Sequence, residues 1–212
     1  MLNTERPWNL IDSGVFCVYS GEMSRIVALY DANVIFPPSL RDLLVNLVEV
    51  HCVQGKWTAE IHEEWIRNTL RQYPERYTRA KLEHTRDLMD RHGGDCLVTG
   101  YEHLIPKLTG INAGDRHVVA AAMVGHAEII VTRNLRHFPN DVLAQFGLQS
   151  QHPDEFVAEL FDLDERPVIE AVRRQRANLK NPPRTVDELL GTFLRNELLE
   201  TVGRLRSHAA SL

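Results

Sequence analysis

Cysteine is scarce: Cys17, Cys52 and Cys96 are the only three in 212 residues. They form no CxxC pair and no zinc-ligand spacing. This excludes a disulfide scaffold and implies buried thiols in a reducing compartment. No apolar run approaches the ~18 residues of a membrane span. Residues 1–22 lack the charged start, apolar core and small-residue cleavage site of a signal peptide. A cytoplasmic location is therefore expected, with no membrane contact. Basic charge is not in excess: 24 Lys and Arg face 29 Asp and Glu, for a net charge of −5. No global field advertises a nucleic-acid binder, although a local basic surface stays open. Neither GxxxxGK[ST] nor GxGxxG occurs, which argues against a phosphate-cradling nucleotide site. His62, His117, His126 and His137 show no HExxH spacing, so zinc is not expected. No alternation of aromatic and basic residues reads as a base-recognition platform.

What is present is a short apolar run, Arg25 to Val34, that stops on a carboxylate at Asp31. Such a run suits a strand buried on both faces of a parallel sheet. A buried strand does not readily hold an unpaired Asp, so Asp31 belongs at its C-terminal end, the edge where open α/β sheets bind ligands. Met23 precedes this strand, and residues 1–23 read as an N-terminal extension. Pro37-Pro38 marks a loop, with Ser39 as N-cap of a helix carrying Leu40, Leu43, Leu44, Leu47 and Val48. Gly55 ends that region. Thr58 opens a second helix stopped by Tyr73-Pro74, and Glu75 to Arg91 forms a polar third. Cys96 to Thr99 is a short strand candidate. An Ala-rich helix follows Asp115, a clear strand spans Glu128 to Thr132, a short helix covers Asp141 to Phe146, and a last strand lies near Leu148 to Gln151. This alternation predicts an α/β fold with a mostly parallel core over residues 24–152. From Pro153 the pattern is only helical: Asp154 to Phe161, Pro167 to Leu179, and Val186 to Leu205 as one helix. Residues 153–212 therefore read as a helical C-terminal extension.

Three acids stand at structurally marked positions: Asp31 ends a strand, Glu64 lies early in a helix, and Asp115 opens one. Asn134, after the strand ending at Thr132, adds a neutral oxygen. Clustered carboxylates repel unless a cation or a proton is present. Oxygen-only ligands favour Mg²⁺ or Mn²⁺, and such a site can activate a water for phosphodiester hydrolysis. Each residue also has a plain structural use. Asp31 can cap a backbone N–H, and Asp115 can complement a helix dipole. Glu60 or Glu63 can equally be the inward acid in place of Glu64, Asn134 can support a turn, and Arg133 can be a surface charge. The basic stretch Arg173, Arg174, Arg176, Lys180 and Arg184 can be a solvated face or a phosphate contact.

Four segments in order resemble a PIN domain, the nuclease fold of VapC-type toxins. They are Val27-Ala28-Leu29-Tyr30-Asp31-Ala32-Asn33-Val34, Glu60-Ile61-His62-Glu63-Glu64-Trp65, Gly114-Asp115-Arg116-His117-Val118-Val119-Ala120-Ala121-Ala122, and Ile130-Val131-Thr132-Arg133-Asn134 through Pro139. The resemblance covers residues 24–150. It implies a three-layer α/β/α sandwich and a Mg²⁺- or Mn²⁺-dependent endoribonuclease, the toxin of a type II toxin–antitoxin pair. It further implies a small protein antitoxin as partner and a homodimer. Asp31, Glu64 and Asp115 would then be catalytic and metal-binding, with Asn134 as a further ligand. Asn33, Thr132 and Arg133 would orient these groups or meet substrate. The chain departs from the family in carrying Asn134 where many members have Asp, and a neutral amide holds a cation less strongly. A catalytically weak RNA- or protein-binding module of the same fold is the alternative. A dehalogenase-type phosphatase also begins with a strand ending in Asp, but it needs a second Asp two residues on, where this chain has Asn33.

Overall fold

A computed structural model describes residues 25–212; the N-terminal extension expected over residues 1–23, with Cys17, lies outside the described residues. Among the described residues, four strands form one parallel sheet in the order β2-β1-β3-β4. They are β1 (Val27–Tyr30), β2 (Gln54–Lys56), β3 (Ile129–Val131) and β4 (Gln149–Gln151). The register pairs Tyr30 with Val131 and Leu29 with Lys56. Each crossover carries helices: α1 (Ala32–Ile35) and α2 (Pro38–Glu49), then α3 (Ala59–Gln72), α4 (Arg79–Gly93) and α5 (Arg116–Val124), then α6 (Asn140–Leu143). The architecture is a three-layer α/β/α sandwich.

The alternation of side chains along the strands separates the two covering layers. Tyr30 faces Trp57, with ring centroids 6.2 Å apart, and meets Phe156 edge-on at 6.3 Å. α7 (Pro153–Leu163), which supplies Phe156, therefore lies on the Tyr30 face. On the other face, α5 packs against β1 and β3.

Several boundaries differ from the sequence reading, each for a local reason. The N-cap of α2 is Pro37, with Pro38 at the first helical position, so Ser39 sits inside the helix. A proline is pre-set for that position and lacks only an N–H the helix would leave unpaired. Gly55 does not end a region but sits in the middle of β2, a strand too short to mark itself in the sequence. Cys96 to Thr99 forms no strand, only a parallel bridge from Leu97 to Trp57. Trp57 N–H donates to Cys96 O at 2.9 Å, and Val98 N–H donates to Trp57 O at 2.8 Å. The helix expected over Val186 to Leu205 is two, α9 (Val186–Arg195) and α10 (Leu199–Arg206). Asn196 breaks it, since its side chain is drawn to Ser39 Oγ at 2.9 Å, and Glu197 follows with φ 64°.

The helices after Pro153 share one core with the sheet. α8 (Glu165–Asn178) lies along α2. The buried Asp154 carboxylate accepts the first free N–H groups of α10, from Glu200 and Thr201, both at 2.9 Å. No helix among the described residues is long and apolar enough to cross a membrane.

Gly55 is required by close approach. A Cβ there would stand 2.6 Å from Val48 Cγ2 and 2.9 Å from Tyr30 Cε2, both in the core. Gly55→Ala should destabilise the protein by about 1–3 kcal/mol in chemical denaturation, as overpacking does. An unchanged midpoint would contradict this packing.

Candidate active site

The sheet order reverses beside β1: the chain passes from β1 to β2 on one side, and β3 lies on the other. The crevice at such a switch point, outside the carboxyl ends of the strands, is where open α/β sheets bind ligands. Asp31 and Thr132 occupy it, because each directly follows its strand. Their backbones extend the ladder, with Asp31 N–H donating to Val131 O at 3.1 Å and Thr132 N–H donating to Gln151 O at 3.0 Å.

Asp31 is only 7% exposed. Its Oδ2 accepts from Thr132 Oγ1 at 2.7 Å and from the Asn33 side-chain amide. The same amide donates to Thr132 Oγ1 at 2.9 Å, closing a triangle. Arg133 N–H donates to Asn33 Oδ1 at 3.0 Å, and Asn134 N–H donates to Thr132 Oγ1 at 3.1 Å. Asn33 and Thr132 thus orient Asp31, while the turn after β3 orients them.

The three glutamates of α3 separate cleanly. Glu63 turns to solvent, where Arg79 grips it with Nη1 at 3.1 Å and Nη2 at 2.6 Å. Glu60 accepts from Tyr101 OH at 3.2 Å and stands 3.7 Å from His117 Nδ1. Glu64 lies 3.9 Å from His117 Nε2 and lines a 560 Å³ groove with Asn33, Phe36, Arg133 and Asn134. Asp115, at the start of α5, makes no capping bond, and its Oδ2 meets His137 Nδ1 at 3.2 Å. Arg133 turns away from the acids. Its Nη2 donates to Asn196 O at 2.9 Å and so ties the end of β3 to the link between α9 and α10.

Residues 153–207 match the family model described as VapC50 C-terminal domain. The chain is 38% identical over 91 residues to the Mycobacterium tuberculosis (strain ATCC 25618 / H37Rv) protein named "Putative ribonuclease VapC50", covering 43% of this chain and 53% of that protein. The alignment thus spans about half the length of that relative. No solved structure gives a significant match. The chain is thus similar to VapC-type proteins over these stretches.

At the end of β1, burial pushes the Asp31 carboxyl up to about 6. The charges of Glu64 and Asp115 push the same way, and the Thr132 hydrogen bond opposes them. Asp31 therefore feels both other acids across the crevice. Among the described residues, no three His, Cys, Asp or Glu side chains close on one metal position. The donor set nonetheless fits a hard divalent cation: the groups are oxygen-only and net negative, with a carboxyl held above its ordinary range. The histidines take other roles. His62 is buried between Trp65, whose Nε1–H donates to it at 2.9 Å, and Asp90 at 3.0 Å. His117 and His137 face the acids, and the sequence reading weighed them only as zinc ligands; their place inside the Asp115 and Asn134 motifs was the available signal.

The raised Asp31 value fixes the sign of a pH effect. The folded carboxyl titrates near 6, above its ordinary 3.8, so the folded state holds this proton more tightly than the unfolded chain. Below pH 4 the group costs nothing; as pH rises through 6 it costs up to ~3 kcal/mol, at ~1.4 kcal/mol per unit. In EDTA, Asp31→Asn should be more stable than wild type by about 1–3 kcal/mol at pH 7.5, with the gap closing below pH 4. Denaturant titrations at both pH values check this, and a variant less stable at pH 7.5 would contradict it.

Proposed function

We propose that this protein is a Mg²⁺- or Mn²⁺-dependent endoribonuclease, acting as the toxin of a type II toxin–antitoxin pair. The observation that carries this reading is the convergence of the Glu64 and Asp115 charges on the buried Asp31 carboxyl at the sheet's switch point. The likeness to a relative whose printed name includes ribonuclease supports it. Asp31, Glu64 and Asp115 would hold the cation, with the Asn134 amide as a weaker oxygen donor. When bound, the cation would lower the pKa of a water and neutralise charge on the phosphodiester.

The chain's own residues prepare the site. Thr132 Oγ1–H and the Asn33 amide hold Asp31 Oδ2 in place, and the cost of burying an ionised Asp31 favours uptake of a cation. His137 fixes the Asp115 carboxylate on the side of α5. Arg71 edges the groove beside Glu64 and would supply positive charge for the substrate's phosphates, while the Arg133 side chain is committed to Asn196. A small antitoxin protein that fills the groove would silence the site, and a homodimer and a cytoplasmic location accord with the same reading.

The second reading, a weak or inactive RNA-binding module, draws on Asn134 alone, where a carboxylate would hold a cation more firmly. The two separate in one assay. Purified protein should cleave an RNA pool with Mg²⁺ or Mn²⁺ and not with EDTA, and Asp31→Asn should lower the rate at least ~100-fold, the scale for lost charge stabilisation at a reacting centre. Cleavage by Asp31→Asn at the wild-type rate would overturn the role of Asp31. Absence of cleavage by a folded, partner-free wild type would favour the second reading.

A further inference from the structure

A second cleft adjoins the acid groove. It has a volume of 380 Å³, within the range of small-molecule sites, and shares Phe36 with the groove that Glu64 lines. Its walls come from three parts of the chain: α2, the segment after α3, and the C-terminal helices α8 and α9. Its floor is aromatic. Phe36 and Tyr73 stack with planes 18° apart and centroids at 6.4 Å, and Tyr77 meets Tyr73 edge-on at 6.3 Å. Tyr73 is 41% exposed, an unusual position for a large ring that already has aromatic neighbours.

The charge around this floor is distinctive. Arg173 and Arg174 are both paired with Glu170, and Arg204 is paired with Asp162. Of the basic stretch read in the sequence, only Arg184 lines the cleft. Among the described residues, Arg184 and Arg76 have no carboxylate partner, and Arg76 lies 5.5 Å over the Tyr77 ring. Asp42 is the single acid in the lining. An aromatic floor with unpaired guanidinium groups, continuous with a phosphodiester-cleaving crevice, matches the way single strands are held: bases stack on rings while arginines meet phosphates.

We propose that this cleft binds a nucleobase of single-stranded RNA flanking the scissile phosphate, and that the C-terminal helices complete it. The proposal rests on the nuclease reading. Stacking would be chiefly on Tyr73, whose exposed face is free, and Arg184 from the C-terminal unit would contact the neighbouring phosphate. The Arg133 bond to Asn196 O holds the α9 wall against the end of β3, so cleft and crevice keep their spacing.

Fluorescence anisotropy with a labelled single-stranded RNA tests this on the full chain carrying Asp31→Asn, which prevents cutting. Adding Tyr73→Ala should weaken binding roughly tenfold, the scale of one lost base–aromatic stack, whereas Tyr73→Phe should keep it. Arg184→Ala should weaken binding and flatten its salt dependence. Thermal melts of each variant establish folding; Arg184 is exposed, so its variant keeps the proposal testable if Tyr73→Ala is unstable. RNA binding by the parent that is unchanged in both Tyr73→Ala and Arg184→Ala would overturn the cleft's role, leave the nuclease reading standing, and point to a peptide segment as occupant. No RNA binding by the parent would overturn both readings.

Discussion

Desolvation of one carboxylate organises this molecule. Asp31 must leave β1 at the sheet's edge, because the strand interior offers no partner for its charge. At the edge it is still buried, and the Thr132–Asn33 triangle satisfies only one of its oxygens. The other acids add repulsion rather than relief. A fold that sets a carboxyl at about 6 while bringing further carboxylates towards it carries a local cost, and a divalent cation would offset that cost. On the proposed nuclease reading, stability and function pull against each other at residue 31.

The C-terminal helices belong to this account, not beside it. Phe156 packs on Tyr30, the residue before Asp31, so α7 supports the strand that presents the acid. Arg133 reaches Asn196 between α9 and α10, and the Asn196 amide reaches Ser39 on α2. Gln175 on α8 donates to Ser39 O at 2.8 Å, a second tie to the same turn of α2. These bonds knit the extension to the turn after β3, which borders the acid groove, and to α2, which walls the adjoining cleft. Residues 153–207 match a family model of their own, so this unit is recognisable in sequence as well as in structure.

Much of the fold was legible because its signals are local. Asp31 could be placed at a strand end from the abrupt stop of an apolar run, and Thr58 as a helix cap from its position before Glu60 and Ile61; its Oγ1 indeed accepts from Ile61 N–H at 3.0 Å. What escaped depended on distant partners. Gly55 reads as a terminator in sequence, but its lack of a side chain serves a close approach between β2, α2 and Tyr30. The break at Asn196 has no proline or glycine to mark it, since hydrogen bonds to Ser39 and Arg133 impose it. At the site, the motif placed Glu60, Glu63 and Glu64 on adjacent turns and could not rank them. Arg79, sixteen positions away from Glu63, draws that acid outward. The aromatic floor beside the groove was invisible because Phe36, Tyr73 and Arg184 sit in three separate connections, after α1, after α3 and before α9.

Burial and the other acids hold Asp31 above its ordinary pKa, and on the proposed function a divalent cation would relieve this. A pH titration of the Asp31 carboxyl ¹³C resonance, in EDTA and again in saturating Mg²⁺, tests it most directly. The account predicts a midpoint near 6 without the cation and a large downward shift with it. A midpoint at the ordinary value in EDTA, unmoved by Mg²⁺, would contradict both the electrostatic convergence and the metal site built upon it.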